Sequence, residues 1–317
     1  MKTQELILNY LKNQVIIIFF IFLGCNPKLE SNPNLHAQSD SLLIVQHLTT
    51  ITKTDAYRNQ LNVSMLNQTA EYIFSIFSQY SDTTYYQSFE LNGETYMNVV
   101  CRLNGEDNNP IVVVGAHYDV AGDTEGADDN ASGVVGLLEL SRILSKEKLK
   151  YPIEIVAYTL EEQWPMMGSL THAKSLYDSN TPVYGMVAFE MIGYFDDRAN
   201  SQSYPVKALK NIYGTKGDYI LLAKKIGTDK FVKNFSVGFK KHATIKTKSI
   251  KAPLKWGVNR SDHQNYWKLG YDALMITNTA NFRNPNYHKI SDTMETLDIP
   301  RMMKVIDATA MTIINLE

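Results

Sequence analysis

The chain has 317 residues, with 31 Lys and Arg against 33 Asp and Glu and a formal net charge of −2. That length allows one large α/β domain or two ordinary ones, with a sizeable core. Balanced charge excludes the basic excess with which nucleic-acid-binding proteins neutralise phosphates, so a local cluster of acids stands out as a site.

In chain order, Lys2 and Lys12 precede an apolar run, Val15 to Leu23, followed by Gly24-Cys25. Nine apolar residues fall short of the about 20 that span a bilayer but suit a secretory signal. Residues 1–25 therefore read as an export signal. Its end resembles a bacterial lipobox, although Phe22 is bulkier than such signals prefer; the resemblance implies a lipid anchor at Cys25 and a location on the periplasmic or cell-surface side of a membrane, with plain secretion the alternative. Residues 26–40 are Pro-, Asn- and Ser-rich and read as a flexible tether, leaving 41–317 as the folded domain. Cys101 is the only other cysteine, so a lipidated Cys25 leaves no pair for a disulfide.

Ser41 to Thr52 and Ser64 to Tyr80 read as helices, the second from the spacing of Ala70, Ile73, Phe74, Ile76 and Phe77. "TTYYQSFEL" and "TYMNVVCRL" are β-rich runs split by Asn92-Gly93, a hairpin signal. Ile111 to Val114, Ile153 to Tyr158, Met186 to Phe189 and Ala273 to Ile276 are apolar runs of strand length, with a helix predicted over 131–149 between the first two. Strands alternating with helices predict a three-layer α/β/α sandwich with a mixed, mostly parallel sheet. The stretch from Phe195 to Asn259 is polar and Lys-rich, shows no strong strand pattern, and is expected to decorate the sheet and shape a pocket.

Ligands of open α/β sheets bind beyond the carboxyl ends of strands, and here those ends carry metal-type ligands. His117 follows the first run, Glu161-Glu162 the second and Glu190 the third; Asp129 lies in the acidic loop "GDTEGADDN", and His288 comes late. Two imidazoles with several carboxylates suit Zn²⁺, with Mn²⁺ or Co²⁺ as alternatives. A pair of ions about 3.5–4 Å apart, bridged by one carboxylate, would offset the concentrated negative charge.

"GAHYD", "GADDNASG", "EEQ…MGS", "FEMIGY" and "NPNYHKISDT" together resemble the di-zinc aminopeptidases of metallopeptidase family 28, in the family's order. The resemblance implies that His117 and Glu190 are terminal ligands of one metal and Glu162 and His288 of the other, with Asp129 bridging. Many members have aspartate at the position of Glu190. The resemblance further implies that Asp119 orients the His117 imidazole, that Glu161 is the general base, that Tyr287 donates to a tetrahedral oxyanion, that Ser261 supports His288, and that the Asp129–Asn130 peptide bond is cis. Asp123 and Asp128 are left as loop acids. Ser261-Asp262-His263 is not a nucleophilic triad, since three consecutive residues cannot converge on one another and no G-x-S-x-G elbow is present. The expected activity is a zinc-dependent aminopeptidase acting on peptides. The alternatives are a glutaminyl-cyclase-like acyltransferase with one zinc, another metal-dependent amide hydrolase such as a carboxypeptidase, and an inactive binding ectodomain. Walls for the substrate side chain are expected from Trp164 to Met167, Phe195 to Asn259 and Asn278 to Asn286.

Overall fold

Asn92 and Gly93 both take left-handed backbone, with φ 53° and 85°, as a two-residue type I′ hairpin turn requires, and they join β1 (Thr83–Leu91) to β2 (Glu94–Leu103). The computed structural model describes residues 38–106, 108–227 and 230–317. The export signal and the tether up to residue 37 lie outside the described residues. Ser39 and Asp40, expected in the tether, are tied to the domain: their backbone N–H groups donate to Asp307 Oδ1 (2.7 Å) and Glu139 Oε2 (2.6 Å).

Among the described residues, two helices, α1 (Ser41–Thr52) and α2 (Val63–Phe77), precede the hairpin. Beyond it come β3 (Ile111–His117), α3 (Gly133–Leu144), β4 (Ile153–Tyr158), α4 (Met167–Asp178) and β5 (Val183–Glu190). There follow α5 (Leu209–Tyr213), β6 (Ile220–Lys225), α6 (Lys230–His242), β7 (Thr247–Ala252), α7 (His263–Lys268), β8 (Ala273–Thr277) and α8 (Ile299–Ile314). The eight strands form one sheet in the order β1-β2-β4-β3-β5-β8-β6-β7. β4, β3, β5 and β8 run parallel, as do β6 and β7, whereas the β1–β2, β2–β4 and β8–β6 pairs are antiparallel.

Successive residues of a strand face opposite sides, and β3 shows how that builds three layers. Val112, Val114 and Ala116 join a core shared with α1, α2, α3, α6 and α8, while Ile111 and Val113 join one shared with α4 and α7. Both faces being covered, β3 and β4 are buried throughout, which is why they read as continuous apolar runs rather than alternating ones.

The expectation for 195–259 needs correction. This stretch contributes β6, α6 and β7, two strands of the main sheet and a long covering helix. The signal was weak because β7, "TKSIKA", is a half-buried edge strand, where lysines guard against further pairing. The helix predicted from Ala131 begins at Gly133, because Ala127–Ser132 form a wide turn in which Asp129 and Asn130 depart from helical geometry. The Asp129–Asn130 peptide bond is cis. The sequence reading also contains no helix at α4, α5, α7 or α8, although α8 opens on Asp298, whose carboxylate accepts from Arg301 N, and has a proline in its first turn.

Candidate metal centre

The carboxyl ends of β3, β4 and β5 meet at one edge of the sheet, and each delivers a polar side chain there. His117 is the last residue of β3 and Glu190 the last of β5. Glu161 and Glu162 follow β4, Asp129 lies in the wide turn before α3, and His288 in the loop between β8 and α8. The chain turns sharply at these points: Leu160, Met191 and His288 have φ of 56°, 53° and 56°. Left-handed backbone costs a non-glycine residue about 1–2 kcal/mol, and such strain concentrates at functional sites.

The five predicted ligands form two sets that share Asp129. His117 Nε2 lies 3.4 Å from Asp129 Oδ1 and 3.5 Å from Glu190 Oε2. His288 Nε2 lies 3.2 Å from Asp129 Oδ2 and 3.3 Å from Glu162 Oε1. Two atoms each about 2.0–2.1 Å from one tetrahedral zinc stand about 3.3 Å apart, so these separations suit ligands of a common ion. His117 Nε2 and Glu162 Oε1 are buried without a hydrogen-bond partner, a costly state that coordination would relieve. The residues therefore fit a metal at each set, with one Asp129 oxygen facing each. Glu161 Oε2 stands farther from His117 Nε2, at 3.8 Å, although it too lies within reach of a point shared with His117 and Glu162.

The titration behaviour carries the same message. Burial pushes the carboxyls of Glu161, Glu162 and Glu190 up, Glu161 well above the usual range and Glu162 to about 7. Burial opposes charging of the two histidines, but the surrounding carboxylates outweigh it, lifting His117 well above 6.5 and His288 to about 10. Burial also opposes ionisation of Asp129, yet His117 and His288 hold it down at about 2. The cluster draws positive charge, which divalent cations supply more compactly than protons.

A second layer fixes these groups. His117 Nδ1 is 3.1 Å from the Asp119 carbonyl and 3.4 Å from its Oδ1. Asp119 does more than face the histidine: its two oxygens accept the backbone N–H groups of Glu161 (3.0 Å) and Glu162 (3.1 Å), joining the β3 and β4 ends. Ser261 departs from expectation. Its hydroxyl donates to Glu190 Oε2 at 2.8 Å rather than to His288, which lies on the other side of the Asp129 carboxylate.

Asp128, left as a loop acid, is fully buried. Its Oδ1 accepts from Gly193 N (2.9 Å) and Tyr194 N (3.1 Å), and its Oδ2 from the side-chain amides of Asn278 and Asn284 (both 2.8 Å). Asp292 accepts the backbone N–H groups of Asp128 and Asp129, and the buried Arg58 donates to the carbonyls of Tyr118, Ile51, Glu125 and Gly126. These three residues hold the acidic loop in shape. Nothing in their local sequence distinguishes them from surface charges.

Tyr287 stacks on the His288 ring, centroids 3.8 Å apart, and burial raises its hydroxyl pKa. Together with Glu190 it borders a cavity that opens to solvent, about 840 Å³ with the solvent at its mouth included. Tyr213, Tyr219, Leu221, Ile250, Trp256 and Met275 form much of its wall. The stretches 195–259 and 278–286 thus contribute as expected, but Trp164 does not: it is 72% exposed, with Lys268 Nζ 4.6 Å above its ring. Met166 beside it is buried.

The profile of peptidase family M28 matches residues 98–313. An Escherichia coli K12 protein described as uncharacterized, YfbL, is 34% identical over 94% of this chain and 97% of its own length. Probable leucine aminopeptidase 1 of Trichophyton verrucosum is 29% identical over 61% of this chain, which spans about half (51%) of that protein. Among solved structures, the LapA aminopeptidase of Legionella pneumophila superposes with a TM-score of 0.71 at 21% identity, covering 93% of this chain and 78% of that one. Tannerella forsythia glutaminyl cyclase superposes with a TM-score of 0.60 at 19% identity, covering 88% and 100%. At these identities the two superpositions speak for the fold.

Proposed function

From the premise that the chain belongs to peptidase family M28, we propose that it is a zinc-dependent aminopeptidase that removes N-terminal residues from peptides. The observation that carries this reading is the division of Asp129, one oxygen toward His117 and Glu190 and the other toward His288 and Glu162. His117, Asp129, Glu162, Glu190 and His288 would hold a zinc pair, which would supply Lewis acidity toward the scissile carbonyl and the attacking water. Glu161 takes the proton from the attacking water and passes it to the leaving amine. The Tyr287 hydroxyl, beside His288, donates to the oxyanion as it develops. The cavity bordered by Glu190 and Tyr287 takes the side chain of the N-terminal residue. A one-zinc glutaminyl-cyclase chemistry leaves the second ligand set without a use.

The test combines metal analysis with a panel of aminoacyl anilides and N-acetylated peptides. About two zinc ions per chain, cleavage of substrates with a free amino group, sparing of blocked ones and loss of activity on chelation are expected. Absence of stoichiometric transition metal after growth with zinc overturns the reading. Residues 1–25 as an export signal and lipid attachment at Cys25 rest on sequence pattern; Cys25→Ser should move the protein from the membrane to the soluble fraction, and an unchanged membrane fraction excludes the lipid anchor.

A further inference from the structure

The wall of the cavity beside the metal centre carries two charged side chains, Glu190 and Arg260. Glu190 is committed to the metal ligand set and to Ser261. Arg260 is exposed at the cavity mouth and not committed: among the described residues its side chain has no hydrogen bond and no ion pair, so only water solvates it. Its side chain lies across Gly257, where an added Cβ would stand 3.4 Å from Arg260 Nε and 3.5 Å from Cδ. Gly257 itself has φ 81°, so the turn both requires glycine and leaves room for the arginine to fold along the wall.

Two more cations stand behind that wall. Lys248 Nζ lies 3.6 Å and Arg283 Cζ 4.5 Å from the centroid of the Tyr219 ring, and Tyr219 lines the cavity. Arg283 is buried, with its Nη2 lacking a hydrogen-bond partner, and its other donors go to the neutral oxygens of Gln202 and Tyr219. The nearby Asp218 carboxylate is paired with Lys246. A side chain entering between Tyr219 and Arg260 therefore meets the guanidinium of Arg260 in the wall, where Glu190 is the one carboxylate, with Lys248 and Arg283 behind it under the partial influence of Asp218 and Asp128.

We propose that Arg260 makes this cavity select N-terminal side chains by charge, pairing with a carboxylate-bearing side chain and repelling an ammonium-bearing one. The proposal rests on the aminopeptidase reading for the orientation of substrate. Charge-assisted hydrogen bonds of a guanidinium to a carboxylate are frequently bidentate; at the exposed Arg260 solvent screens the attraction to a carboxylate and the repulsion of an ammonium alike, and the two effects add in the ratio between the two ligands. The discrimination should be at least about tenfold, which is about 1.4 kcal/mol. Apolar side chains, which use the aromatic wall, are affected by neither effect.

The experiment compares ligands without a free α-carboxylate, so that only the side chain offers one. Binding of the hydroxamates of L-glutamate, L-norleucine and L-lysine to the zinc-loaded protein is measured by calorimetry, alongside turnover of the matching anilides. Glutamate is expected to exceed lysine at least about tenfold in affinity, with Arg260→Gln collapsing that ratio toward unity and Arg260→Lys preserving its order. Equal or tighter binding of the lysine ligand by the wild type, or a ratio unchanged in Arg260→Gln, overturns the proposal. If the anilides are not cleaved while the order of affinities holds, the aminopeptidase reading fails and the charge selection stands.

Discussion

Glu161 and Glu162 are adjacent in the chain, and replacing each by glutamine should separate proton transfer from metal binding. Glu161 Oε2 lies 3.8 Å from His117 Nε2, beyond the 3.2–3.5 Å that relates the paired ligands. Glu162 Oε1 lies 3.3 Å from His288 Nε2 and is otherwise unpartnered. Glu161→Gln keeps the shape of the side chain and removes its basicity, so metal content should stay near wild type while kcat falls by about 10²–10⁴, or about 3–5 kcal/mol of barrier. Glu162→Gln replaces an anionic ligand with a neutral amide, and zinc at the His288 set should be lost or weakened. The assay is elemental zinc per chain together with turnover of an aminoacyl anilide for both variants. If Glu161→Gln sheds metal while Glu162→Gln keeps its zinc and loses only rate, the two roles are reversed. If neither change alters hydrolysis, the reacting centre is not here.

Ser261→Ala removes the 2.8 Å hydrogen bond to Glu190 and should weaken one zinc equivalent by about 10–100-fold; a chelator-competition titration in which both equivalents or neither shift contradicts the assignment. Asp128→Asn turns one acceptor oxygen, and the two donors it serves, into a clash of donors. At about 1–3 kcal/mol for each buried group left unpartnered, urea unfolding should show a loss of about 2–5 kcal/mol, and a loss below about 1 kcal/mol would falsify the hub role. His263 is fully buried, and burial depresses its imidazole from 6.5 to about 4, partly offset by its hydrogen bond to the Val258 carbonyl. The unfolded chain therefore takes up this proton at a higher pH than the folded one. The stability it contributes is complete above about pH 6.5 and declines as pH falls toward 4, by roughly 2–3 kcal/mol at pH 4.5. His263→Gln should lose correspondingly less stability between pH 7 and 4.5, and parallel curves for the two proteins would exclude this linkage.

The parts of the fold legible in the sequence are those with an unambiguous physical signature. β3 and β4 are covered on both faces and so consist of consecutive apolar residues, and Asn92-Gly93 satisfies a backbone conformation few other residues tolerate. β7 was hidden because an edge strand is half solvated and carries lysine as a safeguard. The clustering of His117, Asp129, Glu162, Glu190 and His288 could be read because strand ends in such sheets converge, so residues distant in sequence can be assigned to one place. The partner of Ser261 could not, since the choice between Glu190 and His288 depends on which side of Asp129 the α7 segment passes. Asp128, Asp292 and Arg58 owe their importance to burial by distant segments, and their own neighbours in sequence carry no trace of it.

The position of β8 in the sheet bears on when the protein becomes a hydrolase. β6 and β7 precede β8 in the chain but lie outside it, so β8 must slot between β5 and β6 before the outer strands can join the sheet. The cavity draws on all three, through Leu221, Ile250 and Met275, and His288 arrives only in the loop that follows β8. A chain emerging from the ribosome up to β8 thus carries four of the five candidate ligand residues and most of the cavity lining, but not Met275, Tyr287 or His288. The second candidate ligand set and the far wall of the cavity are thus completed by the same late part of the chain, β8 and the loop that follows it.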